Sequence, residues 1–130
     1  MGRVYGEDWI ERTHRYAVRV LKVANRLPRT PVGFHLAGQV ARSGPSIPFN
    51  LEEAKAALTE PDTLNKTGIA RKESVETRRA LLVIRDVELL PATDHAELTS
   101  LIAAGTEIVA MLTSGTKRLQ ARIAAASRSK

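Results

Sequence analysis

No cysteine occurs among the 130 residues. Disulfides and thiolate metal sites are therefore excluded, as suits a protein kept in a reducing compartment. Aromatic residues make up only 4%, so Ala, Leu, Val and Ile must fill the core, as they do in helix bundles. No apolar run approaches the ~18 residues of a membrane span, and Met1 to Asp8 lacks the core of a signal peptide. The expectation is a soluble, cytoplasmic protein that does not engage a membrane. Glycine-rich phosphate loops are absent too: Gly33, Gly38, Gly44, Gly105 and Gly115 fall inside helical patterns, where small residues allow close packing. His14, His35 and His95 show no metal-ligand spacing. Nothing sets a nucleophile, a base and an orienting group together. These absences predict a protein without catalytic activity, cofactor or metal.

What the chain does have is positive charge. The net charge is +6 and the pI about 10.2, a balance that favours nucleic acid or another anionic partner and says nothing about fold. Arg12, Arg15, Arg19, Lys22, Arg26 and Arg29 follow one another at steps of 3, 4, 3, 4 and 3. On a helix those steps place all six on one face, over roughly 25 Å. Trp9, Tyr16, Ala17, Val20, Leu21, Val23, Ala24 and Leu27 fall opposite, so the segment is amphipathic with an almost purely basic wet face. Like charges four residues apart repel by a few tenths of a kcal/mol. A sequence that repeats this arrangement is a candidate for meeting a polyanion; the alternative is a solvated basic face. Lys117, Arg118, Arg122, Arg128 and Lys130 make the C-terminal end basic, with no acid after Glu107. Cations complement a helix C-terminus, but the dipole does not require five of them.

Four helical segments are expected in a single domain, at about 7–27, 31–58, 60–90 and 94–125, with a frayed basic tail at 126–130. Thr30 and Pro31 open the second. Its apolar positions Phe34, Ala37, Ala41, Gly44, Pro48, Leu51, Ala54 and Leu58 keep their period across Pro45 and Pro48. This predicts one long helix kinked at the prolines, with Ser43 and Ser46 placed to bond the carbonyls the prolines leave free. Thr59 caps the third, with Pro61 and Asp62 behind it. Two apolar stripes run along that helix: Ile69, Ala80, Val83, Ile84 and Val87, then Leu64, Val75, Leu82 and Leu89. One would face the core and the other a second surface. Pro91 ends it and Thr93 caps the fourth, whose Leu98, Leu101, Ile108, Leu112, Gly115, Leu119 and Ile123 form a heptad-like row. Short turns and no strand signal predict an all-α fold: an antiparallel up-down-up-down four-helix bundle.

Two segments carry more specific information. Arg42, Ser43, Ser46, Ile47, Asn50, Glu53 and Ala54 lie on the second helix. Ile69, Ala70, Lys72, Glu73, Glu76, Thr77 and Arg78 lie on the third. In order and spacing they resemble the four-helix-bundle family of the 23S rRNA intervening-sequence proteins. The resemblance implies small cytoplasmic bundles assembled as rings, usually homopentamers, with no catalytic activity. More distant relatives resemble accessory proteins of diversity-generating retroelements, which implies nucleic acid or a reverse transcriptase as partner. This chain departs from the pattern in its aromatics: Trp9 stands nearly alone, and Arg79 and Ala80 take positions often aromatic.

The motif residues Ser43, Ser46, Asn50 and Glu53 read either as a binding surface or as braces between helices. Glu73 falls on an apolar stripe and needs a partner such as Asn50, His35 or a neighbouring Arg, because an unpaired buried charge costs several kcal/mol. Structural use of the motif is favoured. Arg71, Arg78 and Arg85 recur at heptad spacing, and either bind phosphate or pair across subunits with Glu76, Asp86 or Glu88. The sequence therefore points to an oligomeric bundle that binds nucleic acid, RNA first, through the basic stripe and C-terminal end. The alternative is a scaffold docking an acidic partner protein.

Overall fold

The computed structural model describes residues 7–129; Met1 to Gly6 and Lys130 lie outside the described residues. Four helices form an antiparallel bundle: α1 (Glu7–Arg26), α2 (Pro31–Ala56), α3 (Glu60–Asp86) and α4 (His95–Arg128), the last preceded by a 3-10 turn at Ala92–Asp94. The expected caps form at two of the starts. Thr30 accepts from the Gly33 amide at 3.1 Å and Thr59 from the Asp62 amide at 3.3 Å, with a proline in each first turn. Gly33 is required where it stands, since a Cβ there would run into the Pro28 carbonyl. Thr93 is not the cap of α4. It lies inside the 3-10 turn, and Asp94 takes the cap position without a side-chain bond.

Consecutive helices share the largest contacts, α2 with α3 above all, while α1 and α4 close the bundle through the loosest seam. The heptad-like row of α4 is the spine of the core: Leu98, Leu101, Ile108, Leu112 and Leu119 are buried, and Ile123 packs on Ala54 and Leu119 at one end. With the turn before it, α4 is long and apolar enough to cross a membrane by length and composition. Interspersed polar residues keep its apolar runs short in sequence, and its leucine row is committed to the other three helices.

The buried face of α2 agrees with the predicted one in its second half, where Gly44, Pro48, Leu51 and Ala54 are buried, and departs from it in the first. Phe34 is 62% exposed, Leu58 98% exposed, and Ala41 also faces out. Leu36, Val40, Ser43 and Ile47, which lie outside the predicted row, are buried as well. Gly38 packs against nothing. The helix runs unbroken through Pro45 and Pro48. Ser43 does not serve their freed carbonyls but meets Thr77 of α3, and Ser46 accepts through its carbonyl and hydroxyl from Asn50 Nδ2 at 2.8 and 3.0 Å.

The core face of α3 is rich in hydroxyls: Thr63, Thr67, Ser74 and Thr77 are buried beside Ala70, Ala80, Leu81 and Ile84. Each hydroxyl bonds a carbonyl of its own helix, at 2.6–3.0 Å, so its methylene or methyl can face the core with no unpaired donor. Val75, Val83 and Val87 of the predicted stripes are exposed. Among the described residues one buried side-chain polar atom has no partner, the Tyr16 hydroxyl, which stands 2.6 Å from where a Cβ at Gly105 would lie. Burial pushes the phenol pKa upward, so it stays protonated.

The third helix stops at Asp86, short of the expected Leu90, for a local reason. Glu88 has φ 60°, its amide bonds the Arg85 carbonyl, and the Leu89 amide bonds that of Ile84. This is a Schellman ending with glutamate where glycine is preferred. A left-handed L-residue costs roughly 1–2 kcal/mol. Glu88→Gly is therefore expected to stabilise the fold by about 1 kcal/mol, read as a rise in thermal or urea midpoint. A fall would mean that the exposed Glu88 side chain contributes more than its strained backbone costs.

Candidate nucleic-acid interface

The basic stripe of α1 is two rows, each of heptad spacing. Arg12, Arg19 and Arg26 turn toward α4. Arg12 Nη2 pairs with Glu107 at 3.3 Å, Arg19 with Glu97 at 3.0 Å and Arg26 with Asp94 at 3.4 Å. Arg19 grips both Glu97 oxygens and also Ser100 Oγ. These pairs bridge the rim of the loose α1–α4 seam, and Tyr16 of α1 is seated against Gly105 of α4 inside it. They also neutralise half of the stripe. The Arg19 hydrogen bond holds the Glu97 carboxyl below the usual carboxylate range, against the opposing effect of desolvation.

Arg15 and Lys22 form the second row, and Arg29, predicted to continue it, lies in the turn beyond the end of α1; all three are exposed. Arg15 has Glu11 at 3.7 Å, a loose surface contact; Lys22 and Arg29 make no ion pair with an acid among the described residues. At the far end of α4, Lys117 and Arg128 are exposed. Arg118 donates to Ser114 Oγ at 3.2 Å, and Arg122 pairs with Glu60 of α3 at 2.9 Å. The end stays helical to Arg128 rather than fraying after Ala125. Lys130 is outside the described residues.

The motif residues converge on the α2–α3 seam. Glu73, its side chain 7% exposed, receives Arg42 Nη1 at 2.8 Å, and Glu76 receives Nη2 of the same arginine at 3.2 Å. One guanidinium thus clamps two carboxylates. Next to it Ser43 and Thr77 Oγ atoms stand 2.7 Å apart inside the core, and Glu53 pairs with Lys66 at 3.0 Å. Ser46 and Asn50 bond within α2. This geometry braces two helices.

Arg78, the last residue of the motif, points the other way, into the α3–α4 seam with Arg71. Their Nε atoms donate to Thr106 Oγ1 at 2.7 Å and to Thr113 Oγ1 at 2.8 Å. Arg85 pairs with its neighbour Asp86. Sequence reasoning missed the threonines and also Lys72 and Arg79, both exposed on α3. A signal was present: Thr99, Thr106 and Thr113 recur at the same interval of seven as Arg71, Arg78 and Arg85. Among the described residues no three of His, Asp and Glu gather as a metal-ligand set.

Residues 8–114 match the family described as 23S rRNA-intervening sequence protein. Among solved structures, the chain is similar to a crystal structure of a protein of unknown function from the S23 ribosomal protein family of Bacteroides thetaiotaomicron. The two share 30% identity at a TM-score of 0.73, over 84% of this chain and 95% of the other. Among curated proteins no relative matches the chain.

Glu97 gives the α1–α4 seam a pH dependence. Its folded pKa is lowered, so its stabilisation is full above the unfolded carboxylate pKa, near 4.3. It is lost as pH falls through the folded value. Glu97→Gln is expected to lower stability at pH 7 by no more than about 1 kcal/mol, because the pair is partly solvated. It should also flatten the decline between about pH 5 and pH 3, as measured by thermal melts across that range. An unchanged acid limb would assign that limb to other carboxylates.

Proposed function

The chain belongs to the 23S rRNA-intervening sequence protein family, and we propose that it is a non-enzymatic, oligomeric helical bundle that binds nucleic acid, RNA first, through phosphate contacts. The observation that carries this reading is the split of the α1 stripe. The row toward α4 is neutralised within the chain, whereas Arg15 and Lys22 present their charge to solvent ~10 Å apart along α1 and Arg29 does so from the turn that follows it. Lys117, Arg118 and Arg128 extend the basic surface at the acid-free end of α4. Such side chains contact backbone phosphates and hold the partner without reading sequence. Few aromatics are available for base stacking, which favours duplex or structured RNA over stacking-type capture of single strands.

The experiment is a titration of labelled RNA duplex at several salt concentrations, with Arg15→Glu/Lys22→Glu/Arg29→Glu beside the wild type. Each phosphate contact contributes a log–log slope of about −0.9, so the variant is expected to lose about 2–3 from the slope and to bind far more weakly. Arg19 and Arg26 are left intact because changing them would open the α1–α4 seam. Equal binding by the variant would remove this row from the mechanism, and preferential binding of an acidic polypeptide would support the scaffold reading.

Self-assembly follows from the family resemblance, which implies a ring of five. It is supported by apolar surface on the outer side of α2, where Phe34 and Phe49 are 62% and 67% exposed. A ring would also repeat a modest cationic row several times and raise avidity for a long polyanion. Light scattering after gel filtration is expected to give a mass several times that of the 14.2 kDa chain, reduced by Phe34→Glu/Phe49→Glu. A monomer at micromolar concentration would overturn the ring.

A further inference from the structure

Helix α4 lies between two rows of arginine and treats them differently. Toward α1 it and the turn before it offer acids: Glu107, Glu97 and Asp94 meet Arg12, Arg19 and Arg26. Toward α3 it offers threonines: Thr113 and Thr106 accept from Arg71 and Arg78 at 2.8 and 2.7 Å. Spacing and arginine chemistry are the same on both sides, so a seam needing only a staple could have carried carboxylates on both. A hydroxyl that accepts the Nε proton fixes the plane of the guanidinium without neutralising it. The two Nη groups and the whole charge remain available for a bidentate anion.

The surroundings keep that charge uncompensated. Lys72 and Arg79, next in sequence to the two arginines, are exposed, and none of the four forms an ion pair with an acid among the described residues. Four of the five acids on α3 are engaged elsewhere, Glu73 and Glu76 by Arg42, Asp86 by Arg85 and Glu60 by Arg122, and the fifth, Asp62, stands in the first turn, away from Arg71. Between Arg78, Arg79 and Thr106 lies a cavity of about 130 Å³ walled by Val75 and Val109, several times the space one water needs. Four free cations thus occupy about 12 Å of helix axis. A duplex carries one negative charge per ~1.7 Å of axis, about seven over that length. One face of an acidic helix carries about one carboxylate per 5.4 Å turn, so charge density favours a polynucleotide.

We propose that the α3–α4 seam is a second phosphate-binding face, in which Arg71 and Arg78, held in place by Thr113 and Thr106, each take a phosphate of one nucleic acid, with Lys72 and Arg79 flanking them. The proposal rests on the nucleic-acid reading above and is separable from the α1 row. The deciding variant is Thr106→Asp/Thr113→Asp in the full chain, which turns this seam into a copy of the α1–α4 seam. Its melting temperature is expected to equal or exceed that of wild type, because carboxylates replace hydroxyls opposite arginine. Affinity for an RNA duplex at 100 mM salt is expected to fall at least tenfold, with about 2 lost from the log–log salt slope. Thr106→Ser/Thr113→Ser should bind like wild type.

If wild type binds the duplex and the folded aspartate variant binds it equally, the second face is overturned and the nucleic-acid reading stands. If wild type binds no duplex at low salt, both fall. If wild type prefers poly-glutamate to RNA and the aspartate variant loses that binding, the face takes an acidic protein and the phosphate assignment is overturned. Loss of affinity in this variant that adds to the loss in the α1 variant supports two independent faces.

Discussion

One carboxylate inside the bundle constrains the rest. Glu73 is nearly covered by the packing of α2 on α3, and a buried carboxylate left alone would cost several kcal/mol. Arg42 reaches it from α2 and binds Glu76 with its other arm. That fork tolerates little sliding between the two helices. It sets the register in which Ser43 meets Thr77 and Glu53 meets Lys66, so the seam with the most extensive packing is also polar and specific. Leucine-on-leucine contacts alone would hold such helices together without choosing one register. The motif shared with the family is concentrated here, which ties the family pattern to the positioning of α3.

Once α3 is placed, its remaining faces follow. Its outward side carries Lys72 and Arg79, and the side toward α4 carries Arg71 and Arg78. On the other flank of α4, acids answer the α1 arginines across the least extensive seam between neighbouring helices. The bundle thus uses arginine for two purposes, as a tether where carboxylates answer it and as retained charge where hydroxyls do. The excess positive charge of the described helices therefore lies in rows that no acid from another helix answers.

Much of the fold was legible from sequence because helix ends and apolar periods are local. Thr30 and Thr59 with their following prolines marked two starts, and the α4 leucine row was read almost residue for residue. The miss on α3 arose because sequence patterns score threonine and serine as polar. Thr63, Thr67, Ser74 and Thr77 satisfy their hydroxyls on their own helix and then pack as small apolar groups, so the true core face of α3 was hidden. On α2 the second half of the row was read correctly, but in the first half the abundance of Ala and Gly made two overlapping faces similarly apolar, and the reading took the one carrying Phe34. The end of α3 was misplaced because a left-handed Glu88 carries no signature that glycine would have supplied.

By itself the sequence determined four amphipathic helices, their order, the short turns that make them antiparallel, and an excess of positive charge on α1 and at the end of α4. Those properties depend on residues within a few turns of one another. Only the tertiary structure decided which cations keep their charge. Arg19 and Lys22 are neighbours on one basic face, yet Arg19 meets Glu97, distant in sequence, while Lys22 faces solvent. Whether a cation is neutralised depends on the few ångströms between it and an acid on another helix, and that distance exists only after the chain has packed.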